Sequence, residues 1–282
     1  MLLENAPAKV NLTLRVLGRR ADGYHEIESL VAFAEIGDTV EMEAGSGQPL
    51  EITGPFADFC GPAADNLIVK ALAELRRRIP EVQAGTFRLE KRLPVAAGLG
   101  GGSADAAAAL RLLARINKIA PDDSRLASAA LAIGADVPVC LDPSPRVMRG
   151  IGELLSAPVR LASMPAVLVN PRVPLSTRDV FAQHRAGGES RKLPQIPDDP
   201  DALLELLNGH ENELTAAAIA CAPIVGEVLA ELNGMEGVRL ARMSGSGPTC
   251  FAILRSYEAA VGAAESLLKR RSNWWVCATH IG

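Results

Sequence analysis

From Lys9 to Val16 hydrophobic and polar positions alternate, with Val10, Leu12, Leu14 and Val16 on one side and Lys9, Asn11, Thr13 and Arg15 on the other. A period of two is that of a pleated strand with one face in the core, so the segment is predicted as a half-buried strand. A turn-rich stretch, Gly18 to Gly23, leads into a second extended run, Ile27 to Phe33. Shorter alternating stretches follow around Val40 to Glu43, Glu51 to Thr53 and Thr86 to Glu90, so the first third is strand-rich. Helical spacing takes over at Leu67, Ala71, Leu72 and Leu75 and in the alanine- and leucine-rich Ala104 to Ile116. A further helix is predicted to about Ile133, capped by Asp122 or Asp123.

The later half has a different order. A strand near Val167 to Asn170 precedes helices starting near Ser176, Asp201 and Pro223, and strands follow at Val238 to Met243 and Cys250 to Leu254. A helix from Tyr257 to Arg270 and a strand at Trp274 to Thr279 complete it. With the three middle helices counted as one layer this is β-α-β-β-α-β, the split βαβ arrangement of a sheet covered on one face by helices. The polar, proline-containing stretch Gly187 to Pro200 reads as a long surface loop, and no internal repeat is visible. A boundary near residue 157 divides the chain into domains 1–157 and 158–282.

The length of 282 residues suits two domains, and 48% hydrophobic with 22% charged residues excludes a disordered or fibrous chain. There is no uninterrupted apolar stretch of about 18 residues, and Met1 to Asn5 lacks the basic start and apolar core of a signal peptide. A net charge of −4 gives no global basic field for a nucleic-acid backbone. The local basic runs Arg76-Arg77-Arg78 and Lys269-Arg270-Arg271 fall at predicted helix ends, where the dipole favours cations. Five scattered cysteines, Cys60, Cys140, Cys221, Cys250 and Cys277, without a Cys-x-x-Cys pair read as buried thiols of a reducing cytoplasm. The four histidines, His25, His184, His210 and His280, lack metal-ligand spacing.

The loudest chemical signal is Pro94-Val95-Ala96-Ala97-Gly98-Leu99-Gly100-Gly101-Gly102-Ser103-Ala104-Asp105, after a predicted strand and opening a predicted helix. Its glycines allow close backbone approach, and the helix N-terminus adds unpaired N–H groups, a combination suited to polyphosphate. It is neither a Walker A loop, since no Gly-Lys-Ser/Thr follows, nor a dinucleotide fingerprint, since Ser103 stands at the last glycine position. A plain flexible turn before a helix is the competing reading. A second cluster, Ser244-Gly245-Ser246-Gly247-Pro248-Thr249, reads either as an ordinary hairpin loop or as a close-contact element against a nucleotide or the first loop. Asp136 interrupts Ala127 to Leu141, which apart from Ser128 is otherwise apolar, Gly or Pro, so its carboxylate needs a partner. Lys9 in its own apolar context is the candidate; backbone amides at a helix end for Asp136, and solvent for Lys9, are the alternatives.

With these residues in view, the chain resembles the GHMP family of small-molecule kinases. Pro7-Ala8-Lys9-Val10-Asn11-Leu12, the Pro94 to Ala104 loop and Met243-Ser244-Gly245-Ser246-Gly247 match its three motifs in order. Further segments are similar to the subgroup that acts on a cytidine diphosphate alcohol: Arg19 to His25, Gly134-Ala135-Asp136-Val137-Pro138, Arg149 to Glu153 and Ser176 to Phe181. The resemblance runs from about residue 5 to about residue 280. It implies an α+β fold of two domains, a strand-rich N-terminal α/β domain and a C-terminal split βαβ, ferredoxin-like domain. It also implies transfer of the γ-phosphoryl group of ATP to the 2-hydroxyl of the erythritol part of that acceptor.

In that scheme Asp136 accepts the hydroxyl proton and Lys9 holds Asp136 ionised and offsets developing charge. The loop from Pro94 to Ala104 cradles ATP with Mg²⁺ expected on the phosphates. Tyr24, His25 and Phe181 read the cytosine, and Asn11 and Thr177 bind the acceptor. Asn66 is assigned either to the ATP base or to a helix start. Many GHMP kinases have Gly-Leu-Gly-Ser-Ser-Ala where this chain has Gly98-Leu99-Gly100-Gly101-Gly102-Ser103-Ala104, which leaves the metal-binding hydroxyl unassigned. The rival readings are a GHMP kinase for a smaller alcohol such as homoserine or mevalonate, and a non-catalytic nucleotide- or RNA-binding module.

Overall fold

The computed structural model describes residues 1–44, 50–185 and 193–282. Among these the chain runs through strands β1 (Leu2–Asn11), β2 (Arg15–Arg19), β3 (His25–Ala44) and β4 (Leu50–Thr53), helix α1 (Leu67–Arg78) and strand β5 (Gly85–Glu90). Helices α2 (Gly101–Ile116), α3 (Ser124–Ile133) and α4 (Val137–Leu141) follow, then strands β6 (Arg146–Gly150), β7 (Leu154–Leu155) and β8 (Met164–Asn170). Helices α5 (Thr177–Gln183), α6 (Pro200–Asn208), α7 (Thr215–Cys221) and α8 (Ile224–Asn233) lead to strands β9 (Val238–Met243) and β10 (Cys250–Leu254), helix α9 (Tyr257–Arg270) and strand β11 (Trp275–Ile281).

Two compact units interleave along this order. The first gathers residues 1–9, 36–95 and 100–143, the second 10–35, 96–99 and 144–282. A single cut near residue 157 does not coincide with this division, because β1 and β3 each contribute residues to both units.

In the first unit β5 lies between β4, its parallel neighbour, and the second half of β3, which it pairs antiparallel from Thr39↔Glu90 to Met42↔Phe87 and beyond. Four helices accompany this sheet. Helix α1 starts where the side chain of Asn66 accepts the N–H of Ile68, and it buries Ile68, Ala71, Leu72 and Leu75 at helical spacing. Arg77 and Arg78 in its last turn pair with Glu74, so the run of arginines is a solvated helix end. Helix α2 is buried along nearly its whole girth, from Ala104 to Ala114, because alanines let α1 and α4 approach closely. Asp123, one of the two expected caps, accepts the N–H of Arg125 and starts α3.

The second unit contains the predicted split βαβ. Its antiparallel sheet has the order β11-β8-β10-β9, with β8 and β10 central and almost wholly buried. Helices α8 and α9 pack on that sheet, burying Val225, Val228, Leu232, Ala260, Ala264 and Leu267 against Val167, Val169, Ala252 and Leu254. A helix absent from the expectation, α7, joins this layer; it opens on Leu214 without a side-chain cap, so no capping residue announces it. The first half of β3 pairs antiparallel with β2 and with β6, whose partner on the other side is β7. Of the stretch Gly187 to Pro200, residues 187–192 lie outside the described residues, and 193–199 are irregular before α6.

The predicted strand Lys9 to Val16 differs from the structure in two ways. It is two strands, β1 and β2, broken at Leu12 to Leu14, where Leu12 and Thr13 both donate to the carbonyl of Leu30 and Leu14 pairs with the segment at Asn212. Nor is it half-buried: Lys9, Asn11, Thr13 and Arg15 are as buried as the apolar residues between them. Each has a polar partner that makes burial tolerable: Asp136 for Lys9, Ser29 for Asn11, the Leu30 amide for Thr13 and Glu28 for Arg15.

Candidate active site

In the first unit, Lys9 near the end of β1 and Asp136 at the start of α4 meet, with Nζ donating to Oδ2 at 2.8 Å. Their exposures differ: the lysine side chain is 5% exposed and the aspartate 36%. The apolar run around Asp136 therefore does not enclose it, and the buried charge that needs a partner is that of Lys9. Asp136 sits at the N-cap of α4 with no hydrogen bond to the helix's own amides, so its carboxylate remains turned to Lys9 and to solvent.

The glycine loop joins β5 to α2. Ala96, Gly98 and Gly100 have φ of 51°, 73° and 62°, the only positive values in this stretch. Left-handed residues alternating with ordinary ones are the backbone pattern from which anion-binding nests are built. Gly100 is also the N-cap of α2 and, having no side chain, leaves the first N–H groups of a 16-residue helix uncapped. Packing adds a second demand for glycine: a Cβ on Gly100 would lie 3.2 Å from Cβ of Lys9.

Gly98 belongs to the second unit, where a Cβ would come within 2.5 Å of the carbonyl oxygen of Ser244 and 2.7 Å of that of Gly247. Ser244 Oγ donates to the carbonyl of Gly98 at 2.9 Å, and the Thr249 amide donates to that of Ala97 at 3.2 Å. The second glycine cluster is thus a brace for the first, one of the two roles expected of it.

The remaining expected site residues, Asn66 apart, also lie in the second unit. Asn11 donates its backbone N–H to Ser244 Oγ, and its side-chain amide donates to Ser29 Oγ at 2.8 Å. Ser29 in turn donates to the Thr13 carbonyl, which fixes the orientation of Asn11. Thr177, first residue of α5, shares a 2.8 Å hydrogen bond with Ser246. His25 and Phe181 stack on each other, with centroids 4.9 Å apart and planes 26° from parallel, while Tyr24 is 60% exposed on the neighbouring turn. Phe181 therefore lies directly on His25, and the pair presents one combined aromatic surface. Burial lowers the pKa of His25, with Arg19 and His184 adding to the effect, which favours the neutral imidazole. Asn66, in the first unit, caps α1 through its side-chain oxygen.

Two charged networks were not singled out from sequence. Glu28 on β3 binds Arg15 and Arg149 and accepts the amide of Leu193 at 2.9 Å. Burial opposes its charge, yet these donors hold it below the ordinary carboxylate range. In the first unit Lys91 donates to Asp38 and Asp105, all three buried. Asp105 satisfies the same criterion that exposed Asp136, a lone carboxylate in an apolar stretch. Among the described residues no group of three or more His, Cys, Asp or Glu side chains could hold a metal ion.

The interleaved fold and the loop bounded by Lys9 define the class. Residues 66–142 match the GHMP kinases N-terminal domain and residues 193–272 the GHMP kinases C-terminal domain. The chain belongs to the GHMP kinase family, and its fold is the mixed α/β fold of that family.

Within it, the chain is 51% identical over its full length to a 4-diphosphocytidyl-2-C-methyl-D-erythritol kinase of Rhodopseudomonas palustris, of which 95% is covered. It is 50% identical, again over its full length, to the protein of that name from Methylorubrum extorquens, of which 99% is covered. A crystal structure of 4-(cytidine 5'-diphospho)-2C-methyl-D-erythritol kinase superposes with a TM-score of 0.80 at 34% identity, covering 100% of this chain and 99% of that one. A homoserine kinase from Cytophaga hutchinsonii shares the fold, with a TM-score of 0.67 at 17% identity, covering 98% of this chain and 93% of that one.

Proposed function

We propose that this chain is an ATP-dependent kinase that phosphorylates the 2-hydroxyl of 4-diphosphocytidyl-2-C-methyl-D-erythritol, a step of non-mevalonate isoprenoid precursor biosynthesis. The relatives at about half identity over the whole chain support the acceptor. The observation that carries the reaction type is the 2.8 Å contact between buried Lys9 and part-exposed Asp136.

Phosphoryl transfer is mainly positioning and charge stabilisation. Asp136 accepts the hydroxyl proton as the acceptor oxygen bonds to the γ-phosphorus, and the bond from that phosphorus to the bridging oxygen of ADP breaks. Lys9 keeps Asp136 ionised and directed, and its charge offsets that gathering on the transferred group. The loop Pro94 to Ala104 holds the triphosphate through backbone N–H groups, and Asn66 flanks the base as well as capping α1.

Mg²⁺ is the expected counter-ion. Bound with ATP at the loop Pro94 to Ala104, it would be held chiefly by the nucleotide and would supply charge neutralisation on the phosphates; among the described residues no cluster of carboxylates is assigned to it. Asn11 and Thr177 bind the acceptor, and Tyr24, His25 and Phe181 take its cytosine by stacking.

The domain boundary near residue 157 lies between the two stretches matched by the family models, which supports it as the division of the family's N- and C-terminal parts. Five free thiols support a reducing, cytoplasmic setting, and no described helix is long and apolar enough to cross a membrane.

The test is ADP release with the diphosphocytidyl alcohol, homoserine and mevalonate as acceptors. Turnover with the first alone is the expected result. Preference for either small alcohol overturns the acceptor assignment, and nucleotide-dependent stabilisation without turnover on any acceptor favours the binding-module reading.

A further inference from the structure

Behind the helix end of the glycine loop lie three charged side chains that the proposed transfer does not use. Lys91 Nζ donates to Asp38 Oδ2 at 2.5 Å and to Asp105 Oδ2 at 2.6 Å. Lys91 precedes Pro94 by three residues and Asp105 follows Ala104, so one ammonium ties the chain entering the loop to the helix leaving it. Asp38 Oδ1 also accepts the N–H groups of Arg92 and Leu93, at 2.6 and 2.8 Å. The cluster is directly behind the loop: a Cβ on Gly101 would be 3.2 Å from Lys91 Nζ and 3.6 Å from Asp38 Oδ2.

The three side chains are 4%, 0% and 3% exposed for Lys91, Asp38 and Asp105, so water does not settle their charges. One cation faces two carboxylates. Asp38 has three donors and is satisfied as an anion. Asp105 has one, and its Oδ1 is buried with no hydrogen-bond partner. An ionised Asp105 would leave one uncompensated negative charge in a dry interior, the costliest arrangement available to it. As a neutral acid it has Asp38 beside it as an acceptor for its proton, and the cluster carries no net charge.

We propose that Asp105 is a positioning residue of the nucleotide loop that works as a carboxylic acid, carrying a proton whenever nucleotide is bound, so that a neutral Lys91–Asp38–Asp105 cluster backs the phosphates. This rests on the reading that the loop holds ATP. Electrostatics agree with the geometry: burial pushes the Asp105 carboxyl up to about 8, with Lys91 opposing and Asp38 reinforcing. Burial works against the charge of Lys91, but the two carboxylates outweigh it and Lys91 stays an ammonium. The other titratable groups near Asp105 are the thiols of Cys60, just before α1, and Cys140 on α4; burial pushes both up, so neither adds charge near pH 8. A polyphosphate arriving in front of the cluster disfavours a new negative charge behind it. Nucleotide binding therefore takes up a proton once the free protein has begun to lose it.

Titration calorimetry with Mg–ADP between pH 7 and pH 9.5, in buffers of different ionisation enthalpy, counts that proton. ADP has finished its own titration in the upper part of this range. Near pH 8 the wild-type protein is expected to take up ~0.5 proton on binding, and its affinity to fall about thirtyfold by pH 9.5, the effect of having to reprotonate a group that titrates about 1.5 units below that pH in the free protein. Asp105→Asn keeps the shape without the titrating proton, so its affinity should be level across the range with no uptake at pH 8. Thermal unfolding establishes that the variant is folded; if it is not, the wild-type proton count decides alone. Parallel pH profiles for the two proteins, or a wild-type count of zero at pH 8, overturn the proposal. Binding that is tight but independent of pH leaves the loop as the nucleotide site and removes only the proton, whereas absence of binding at every pH brings down both readings.

Discussion

The first unit holds two buried lysines, and they are equipped in opposite ways. Lys9 has one carboxylate partner, Asp136, whose side chain is 36% exposed. Lys91 has two, neither more than 3% exposed. An ion pair with an open side can pass a proton directly to or from a substrate that touches it; a closed cluster acts on a ligand only through the backbone and the field around it. The difference separates a pair suited to chemistry from one suited to architecture, although both stand beside the same loop, Lys9 against Gly100 and Lys91 against Gly101.

The sharpest way to break this contrast is at the open pair. Asp136→Asn keeps the volume and loses the base, so kcat should fall by roughly 10² to 10⁴ with little change in the KM for ATP. Lys9→Met should be similarly impaired, and the double variant should lose far less than the product of the single losses because the two act as a unit. Steady-state kinetics decide; near-normal turnover by Asp136→Asn would make the open pair as structural as the closed one.

At the closed cluster the corresponding change should strike stability. Lys91→Met strands the buried Asp38 carboxylate and takes from Asp105 its one donor, and removing one partner from such a cluster costs about 3–5 kcal/mol. A fall in the denaturation midpoint is expected. If stability stays put while kcat collapses, the roles of the two lysines are reversed.

A smaller effect should come from Gly100→Ala. The new methyl meets the Lys9 side chain and sits on a left-handed backbone, so an energetic penalty of about 1–2 kcal/mol is expected, with kcat lowered more than affinity for the acceptor. Equal loss in both would show that Lys9 is not the atom group displaced.

A test that reads the closed cluster alone is the pH dependence of stability. In the folded chain the Asp105 carboxyl is held up to about 8, whereas in the unfolded chain it returns to the ordinary range near 4. Between those values the folded state holds the extra proton, so this group's contribution to stability declines as pH rises through the window and is level above it. In Asp105→Asn that decline should vanish, so thermal midpoints of variant and wild type should diverge with increasing pH up to about 8 and then run parallel.

Much of this was legible in the chain's pattern because the signals are local. The order and extent of β9, β10 and α9 agree with the elements expected at Val238 to Met243, Cys250 to Leu254 and Tyr257 to Arg270. The glycine loop announces itself by composition. Asp136 stands out from its apolar neighbours, and Lys9, the partner that its charge suggests, is the one it has; the deep burial, however, belongs to Lys9, and no local pattern tells which half of a long-range pair is the enclosed one. Polar residues at alternate positions of β1 and β2 suggested a wet face, since four partners 13 or more positions away cannot be seen in an eight-residue window. Of the closed cluster only Asp105, a lone carboxylate among alanines, carries a local signal like that of Asp136. Asp38 and Lys91 have polar neighbours and look like surface charges until the chain brings them together.

The interleaving of the two units sets a schedule for synthesis. Every residue of the first unit has left the ribosome once residue 143 emerges, so the Lys9–Asp136 pair and the Lys91 cluster can assemble early. The second unit cannot close then: β8 has β11 as one of its two neighbours, paired from Trp275 to Ile281, and those residues are made well after β8. Asn11, Tyr24 and His25 are synthesised before the first unit is finished yet belong to this later one. In a nascent chain growing at about 5–20 residues per second, they wait for partners until β11 is made. A chain stalled between the two would thus hold the pair proposed to accept the proton while lacking the settled framework for the residues proposed to choose the alcohol.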